Sequence, residues 1–209
     1  MDVNLFPTKG NLILAKNTLA LSSQGYELLD KKRNILIREM MGLIDAAKEL
    51  QAKIETTFAA AYAALQRANI TSGIEHVREV GLTIPLEDGV RLLSRSVMGT
   101  EIPMVRCDRR DEPPQYGFYS TTSALDEARA RFVEVKELSL RLAEVETSVY
   151  RLAVNIKKTQ KRANALKNVT IPKYTSICKQ IEGVLEEKER EEFARLKVIK
   201  GQKQQRGGA

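Results

Sequence analysis

Hydrophobic residues recur at alternating steps of three and four from Leu12 to Ala68 without a break in phase. The series runs Leu12, Ala15, Leu19, Ser22, Tyr26, Leu29, Arg33, Leu36, Met40, Leu43, Ala47, Leu50, Ile54, Thr57, Ala61, Ala64 and Ala68. Only Ser22, Arg33 and Thr57 are polar, and no proline lies between Pro7 and Pro85. A 3.5-residue period held this long is the seam of a coiled coil, narrower than the stripe of an ordinary globular helix. At about 1.5 Å per residue the run makes a rod of roughly 85 Å. Such a chain is expected to span, brace or transmit force.

The pattern returns in the second half. Leu125, Ala128, Phe132 and Val135 begin it, and after one shortened step Leu138, Leu142, Val145, Val149, Leu152, Ile156, Thr159, Ala163 and Leu166 continue it. The step from Val135 to Leu138 replaces a four with a three, a local overwinding. Ser123 to Asp126 reads as a capping box that starts this helix. Pro172 is expected to kink the helix, because it removes a hydrogen bond and crowds the preceding turn. Helical spacing then resumes through Ile177, Ile181, Val184 and Leu185, past the charged run Glu186 to Glu192, to Phe193 and Leu196.

Two long seams can satisfy each other within one chain. The fold class expected is mainly α: a long antiparallel two-helix coiled-coil hairpin with a small irregular or β-hairpin cap in mid-chain. The divisions expected are an N-terminal helix over 1–70, a cap over 71–120, a C-terminal helix over 121–200 kinked near Pro172, and a flexible basic tail over 201–209. A parallel homodimer through one seam would leave the other needing a partner of its own.

The cap is where the helical pattern stops. Four of the six prolines and five of the twelve glycines fall between residues 73 and 117. A short helix fits Gly73 to Gly81. Leu92 to Val105 reads as a β-hairpin turning near Gly99-Thr100, with Pro103 pointing to an edge position. Arg106 to Pro114 reads as loop. An isolated hairpin is marginally stable, so this one is expected to pack on the helices or on a partner.

Composition narrows the function. The net charge is +7, with 29% charged and 5% aromatic residues, which suits a thin helical unit with little globular core. No apolar stretch approaches the ~20 residues needed to cross a bilayer, and residues 1–30 hold no signal-peptide core, so the expected location is cytoplasmic. The Asn-x-Thr sequons at Asn69 and Asn168 then carry no meaning. Cys107 and Cys178 form no CxxC pair and read as incidental thiols. His76 is the only histidine and has no ligand neighbour at zinc spacing. No GxxxxGK[ST] run and no nucleophile motif is present. No catalytic, cofactor or metal residues are expected.

Cations cluster at one level. With a loop end near residue 95, antiparallel pairing sets Lys31, Lys32 and Arg33 beside Lys157, Lys158, Lys161 and Arg162, with Arg38 and Lys167 nearby. This belt reads either as a solvated face or as a docking surface for an acidic partner. Nucleic acid is weakened by the lack of interleaved aromatics. Arg33 occupies a seam position and needs a partner or a route to water. Gly25 and Gly42 each cost roughly 1 kcal/mol relative to alanine in a helix interior. Close helix approach or a bearing contact would account for them.

Several segments resemble a known family in order and spacing. Pro7-Thr8-Lys9-Gly10-Asn11-Leu12, followed by Gly25 to Arg33, is similar to the opening of the D subunit of V/A-type rotary ATPases. Val97 to Pro103 resembles that family's mid-chain turn. Arg162 to Leu166, Ile171-Pro172 and Leu185 to Lys197 resemble its C-terminal signature. Residues 106–117 are the least family-like. The resemblance implies a non-catalytic central-stalk rotor component, peripheral to the membrane without inserting into it. Its implied partners are the catalytic and non-catalytic subunits of the nucleotide-binding hexamer, the small F subunit of the stalk and the component connecting to the membrane rotor. It implies coupling of ATP hydrolysis or synthesis to H⁺ or Na⁺ transport. Regional expectations for partner contact are Lys9, Lys16, Gly25, Lys31 and Lys32 on the first helix, Val97, Met98, Gly99 and Ile102 in the turn, and Glu189, Arg190, Arg195 and Lys197 near the C-terminus. The competing reading is a coiled-coil scaffold or nucleic-acid-associated rod protein. An enzyme ranks third, for want of a motif.

Overall fold

The computed structural model describes residues 6–84, 89–107, 116–117, 119 and 121–206. Its elements are α1 (Lys9–Ser72), α2 (Ile74–Thr83), β1 (Val90–Val97), β2 (Thr100–Cys107), α3 (Ser123–Ala165), a π turn (Leu166–Thr170) and α4 (Ile171–Arg206). The chain is mainly α, with the first helix pairing antiparallel against the last two and a two-stranded sheet in mid-chain. It divides into two compact units, Met1–Arg33 with Lys158–Ala209, and Asn34–Lys157.

Local chemistry sets the helix ends. Thr8 caps α1: its hydroxyl accepts from the Asn11 N–H at 3.3 Å and its carbonyl from Leu12 N–H at 3.0 Å, meeting donors that a helix start leaves orphaned. Gly73, at φ +84°, ends α1 in a conformation that costs a residue with a Cβ. The capping box expected at Ser123 is not used. The Leu125 N–H bonds the Thr122 carbonyl at 2.9 Å, while Asp126 accepts from the Tyr116 phenol.

In the first unit, partners change in opposite directions along the two helices. Lys9 pairs with Glu189, Lys16 with Glu182, and Arg33 with Gln160, which is antiparallel pairing. The three polar seam positions of α1 are all answered. Ser22 Oγ donates to the Thr18 carbonyl at 2.7 Å. Arg33 reaches Gln160 at 2.8 Å and Asp30 at 2.6 Å. In the second unit Thr57 donates to the Lys53 carbonyl at 2.8 Å.

Pro172 is met by the π turn. The Ile171 N–H bonds the carbonyl of Leu166, five residues back, which opens the helix where an α-helical proline would clash. The turn also changes the phase of the seam. Leu166, Thr170, Tyr174 and Cys178 follow at three successive steps of four, then Ile181 and Leu185. Cys178 and Ile181 are buried, whereas Val184 is 43% exposed. Of the positions expected to resume the spacing, Ile181 is buried and Leu185 half-buried as expected, while Cys178 is buried beside a half-buried Ile177 and Val184 is exposed, because the π turn absorbs one extra residue. The backbone stays helical to Arg206, past the expected start of the tail.

In the second unit, α1 and α3 pair from Leu36 and Leu152 to Ser72 and Thr122. Ala61, Ala64 and Ala68 are at most 1% exposed, so small residues let the helices approach closely. Tyr62 meets Phe132 edge-on at 5.7 Å, and Arg67 pairs with Glu127 at 3.1 Å. The short helix α2 folds Val80 onto Ala68, Leu125 and Tyr116. β1 and β2 pair antiparallel with Val97 opposite Thr100. The turn is Met98-Gly99, at φ 48° and 72°, one residue earlier than expected. Two positive φ values match the two-residue turn whose twist suits a hairpin. Arg106 and Cys107 belong to β2. The remainder of the expected loop, 108–114, lies outside the described residues.

Candidate functional site

Partner-facing surface is the only functional chemistry the sequence singles out, and it falls into three groups. Among the described residues no cluster could hold a metal ion, and no helix is long and apolar enough to cross a membrane.

The first group is the terminal end of the first unit. Two separately expected contact regions meet there, since Lys9 Nζ bonds Glu189 at 2.9 Å. Lys16 Nζ bonds Glu182 at 2.6 Å. Each lysine's pKa lies above its ordinary value of 10.5, chiefly from the carboxylate's hydrogen bond and then its charge. Both pairs are solvent-exposed, so they fix register more than they stabilise. Arg190 and Arg195 pair along their own helix, with Glu187 at 3.6 Å and Glu191 at 3.7 Å. Lys197 is exposed. Phe193 and Leu196 are 72% and 65% exposed, an apolar surface that the lysine and arginine pattern did not reveal.

The second group lies around Gly25. A Cβ built there would meet Leu166 Cδ1 at 3.6 Å, an ordinary van der Waals contact, so Gly25 faces the π turn without the spacing requiring a glycine. Lys167 Nζ stands 5.7 Å from the centre of the Tyr26 ring, a cation–π contact. The Arg33–Gln160 bond puts the expected cations at one level within this unit. Lys31, Lys158, Lys161 and Arg162 are exposed there and Lys32 is half-buried. By contrast, nothing lies within 4 Å of a Cβ at Gly42, so close helix approach does not account for that glycine.

The third group is the hairpin of the second unit. Ile102 is 3% exposed, in a core with Leu36 and Leu152. The structure thus moves Ile102 from the candidate surface to the interior, with Val97 packed against the same core. Met98 is 48% exposed and Gly99 is exposed at the tip. Polar contacts hold β2 on the helices. Asn155 Nδ2 donates to the Thr100 hydroxyl at 2.7 Å, the Val105 N–H to Glu144 at 2.9 Å, and Arg151 to the Glu101 carbonyl at 3.3 Å. Arg95 of β1 pairs with Glu39 of α1 at 2.9 Å. No periodicity marks Glu144, Arg151 or Asn155 as clamps. Their role exists only because the hairpin lies over them.

Antiparallel helix pairs in each unit, with a two-stranded hairpin docked on the second, define a mainly α-helical protein with a small mid-chain sheet. The family model of the ATP synthase D subunit matches residues 11–201. The D subunit of a V-type ATP synthase from Thermotoga neapolitana is 46% identical over 95% of this chain and 98% of its own. The D subunit of an A-type ATP synthase from Pyrococcus abyssi is 36% identical over 93% of this chain and 92% of its own, and that from Thermococcus gammatolerans is 35% identical over 99% and 98%. The chain belongs to the ATP synthase D-subunit family.

Proposed function

We propose that this chain is the central rotor stalk of a V/A-type ATPase or ATP synthase. It would pass torque between a nucleotide-binding hexamer and a membrane ion-translocating rotor, coupling ATP hydrolysis or synthesis to H⁺ or Na⁺ transport. The observation that carries the reading is the match to the ATP synthase D-subunit family over residues 11–201. The helix pairs support it physically, because two helices locked along a seam resist bending and twisting better than one. On this reading ATP is hydrolysed on other subunits. This chain acts by favouring a different conformation at each interface it touches, which requires differential binding to alternative states. Its partners are the hexamer's catalytic and non-catalytic subunits, the small F subunit and a connector to the membrane rotor. The complex holds it at the cytoplasmic side, peripheral to the bilayer.

Native mass spectrometry of the complex purified from its own cells tests this. One copy with a six-membered nucleotide-binding ring and a small partner is expected. A homodimer, or a complex with nucleic acid and no ring, would leave only the coiled-coil scaffold. A proline at Leu43 is expected to uncouple ATP hydrolysis from ion pumping in the assembled enzyme, and unchanged pumping would sink the torque reading.

A further inference from the structure

The fold treats the two edges of the hairpin differently. A two-residue turn makes Val97 and Thr100 a hydrogen-bonded pair, and bonded and non-bonded pairs alternate from there. The backbone N–H and C=O groups of Leu93, Arg95, Ile102 and Met104 therefore face the partner strand. Those of Leu92, Ser94 and Ser96 on β1, and of Glu101, Pro103 and Val105 on β2, face outward. On β2 these groups are answered. Glu144 accepts from the Val105 N–H at 2.9 Å, Arg151 donates to the Glu101 carbonyl at 3.3 Å, and Pro103 has no N–H to satisfy. On β1 the outward backbone groups of Leu92, Ser94 and Ser96 have no hydrogen-bond partner among the described residues. Every residue from Arg91 to Ser96 is exposed. The proline and side-chain covers that blunt β2 thus have no counterpart on β1 among the described residues, and an open edge is a template for another strand.

Helix α1 forms the floor beyond that edge. Arg95 of β1 reaches Glu39 of α1 at 2.9 Å. From the helical rotation per residue, Ile35 and Gly42 stand about 40° and 60° past Glu39 around α1, away from the core positions Leu36 and Leu43. A third strand beside β1 passes over them. Ile35 is 39% exposed, and nothing lies within 4 Å of a Cβ at Gly42. Gly42, which no contact within the chain explains, then has a use, because a glycine lets an added backbone come close to the helix. Charge selects the occupant. Arg91 and Arg95 lie on β1, and Arg38 lies further round α1 in the same direction. No Asp or Glu occurs between Asp88 and Glu101, and the nearby Glu39 is engaged by Arg95. A second copy of β1 laid on this edge would bring four arginines together, so the edge disfavours its own kind and favours a strand that carries carboxylates.

We propose that the outer edge of β1 takes an extended, acidic segment of another subunit as the third strand of this sheet. The main chain of that segment bonds Leu92, Ser94 and Ser96. Its apolar side chains lie beside Leu92 and Leu93, which are 74% and 44% exposed on opposite faces of the strand. Its carboxylates face Arg91 and Arg95. The inference rests on the chain working within an assembly and not on the transmission of torque.

Hydrogen exchange resolved to single amides, in the isolated chain and in the intact complex, tests this. Leu93 and Arg95 bond β2 and should exchange slowly in both. The amides of Leu92, Ser94 and Ser96 are expected to be fast in the isolated chain and to slow by about tenfold or more in the complex. That alternation marks a strand, because a helix packed on the same surface bonds none of these amides. Fast exchange at all three in a complex that still holds the nucleotide-binding ring would overturn the strand and leave the rotor reading standing. Native spectra without a ring would remove the assembly, and the proposal with it. Slow exchange already in the isolated chain would mean that the edge is covered without a partner, which also overturns it. Ser94→Pro removes one outward N–H without removing a β1–β2 bond. It should return Leu92 and Ser96 to fast exchange in the complex, with Leu93 and Arg95 still slow, whereas Ser94→Ala keeps the N–H and should change nothing. Equal effects of the two would refute a main-chain contact. The photo-crosslinking residue benzoylphenylalanine at Leu92 identifies the occupant. A segment of another subunit rich in Asp or Glu is expected, and a basic segment, a second copy of this chain or no capture would overturn the proposal.

Discussion

Ile102→Ala should release the hairpin from the helices while leaving the helices paired. Ile102 is 3% exposed, lodged with Leu36 and Leu152, each 0% exposed. Truncation to alanine removes three carbons, worth about 2.4 kcal/mol at ~0.8 kcal/mol per buried methylene. The cavity left behind takes the cost to about 2–5 kcal/mol. The polar clamps are weaker. The Arg95–Glu39 pair is half-exposed and contributes at most about 1 kcal/mol. Each of the other three hydrogen bonds contributes about 1 kcal/mol net. A two-stranded hairpin has little stability of its own, so Ile102 is the largest single contribution to docking. Hydrogen exchange followed by mass spectrometry reads the result by segment. Exchange of residues 90–107 is expected to rise on the order of 30-fold or more, with a much smaller change in α1 and α3 away from Leu36 and Leu152. Ile102→Val should give a rise of roughly tenfold or less. Unchanged protection over 90–107 would show that Ile102 does not hold the hairpin. Equal loss of protection along the whole of both helices would show that hairpin and helices unfold as one.

Other outcomes follow from the same contacts. Gly42→Ala and Gly25→Ala should each raise the stability of the isolated chain by about 1 kcal/mol in urea unfolding, because a Cβ meets open space at Gly42 and only ordinary contact at Gly25; a fall at Gly42 would refute this. Stability should be lost as pH rises above about 10. Lys9 and Lys16 have folded pKa values raised above 10.5 by Glu189 and Glu182, and Tyr116 is raised above 10.0 by burial and then by Asp126. In all three the folded state holds its proton more tightly, so the contribution is full at pH 9 and fades as each group deprotonates. Urea midpoints at pH 9 and 11 check it, and Tyr116→Phe should shrink the difference. Deleting Val169 together with Pro172→Ala should remove the π turn and leave the downstream phase intact. Cys178 is then expected to stay as slow toward a thiol reagent as in the parent chain, and a fast-reacting Cys178 would refute the phase argument.

Much of the fold was legible because a seam is a local, repeated signal. The alternation of three and four placed α1 and α3, and the requirement that two seams cover each other set residues 31–33 beside 157–162, the level at which Arg33 bonds Gln160. Gly99 marked the hairpin tip to within one residue, since a turn with positive φ favours glycine. Features of the candidate surface that depend on a second element were hidden. Ile102 sits in the same short strand as exposed residues, and only docking on Leu36 and Leu152 made it core.

The sequence by itself determined that this chain is mainly α with two long seams that pair antiparallel, and that it belongs to the D-subunit family, because periodicity and motif order need no knowledge of what packs where. Tertiary structure alone decided the phase of α4 and the partners of the hairpin. Pro172 could have been met by a kink or by a π turn. The choice fell to the π turn because it keeps Cys178 and Ile181 in the interface with α1, and that demand is set by residues more than a hundred positions away in the chain.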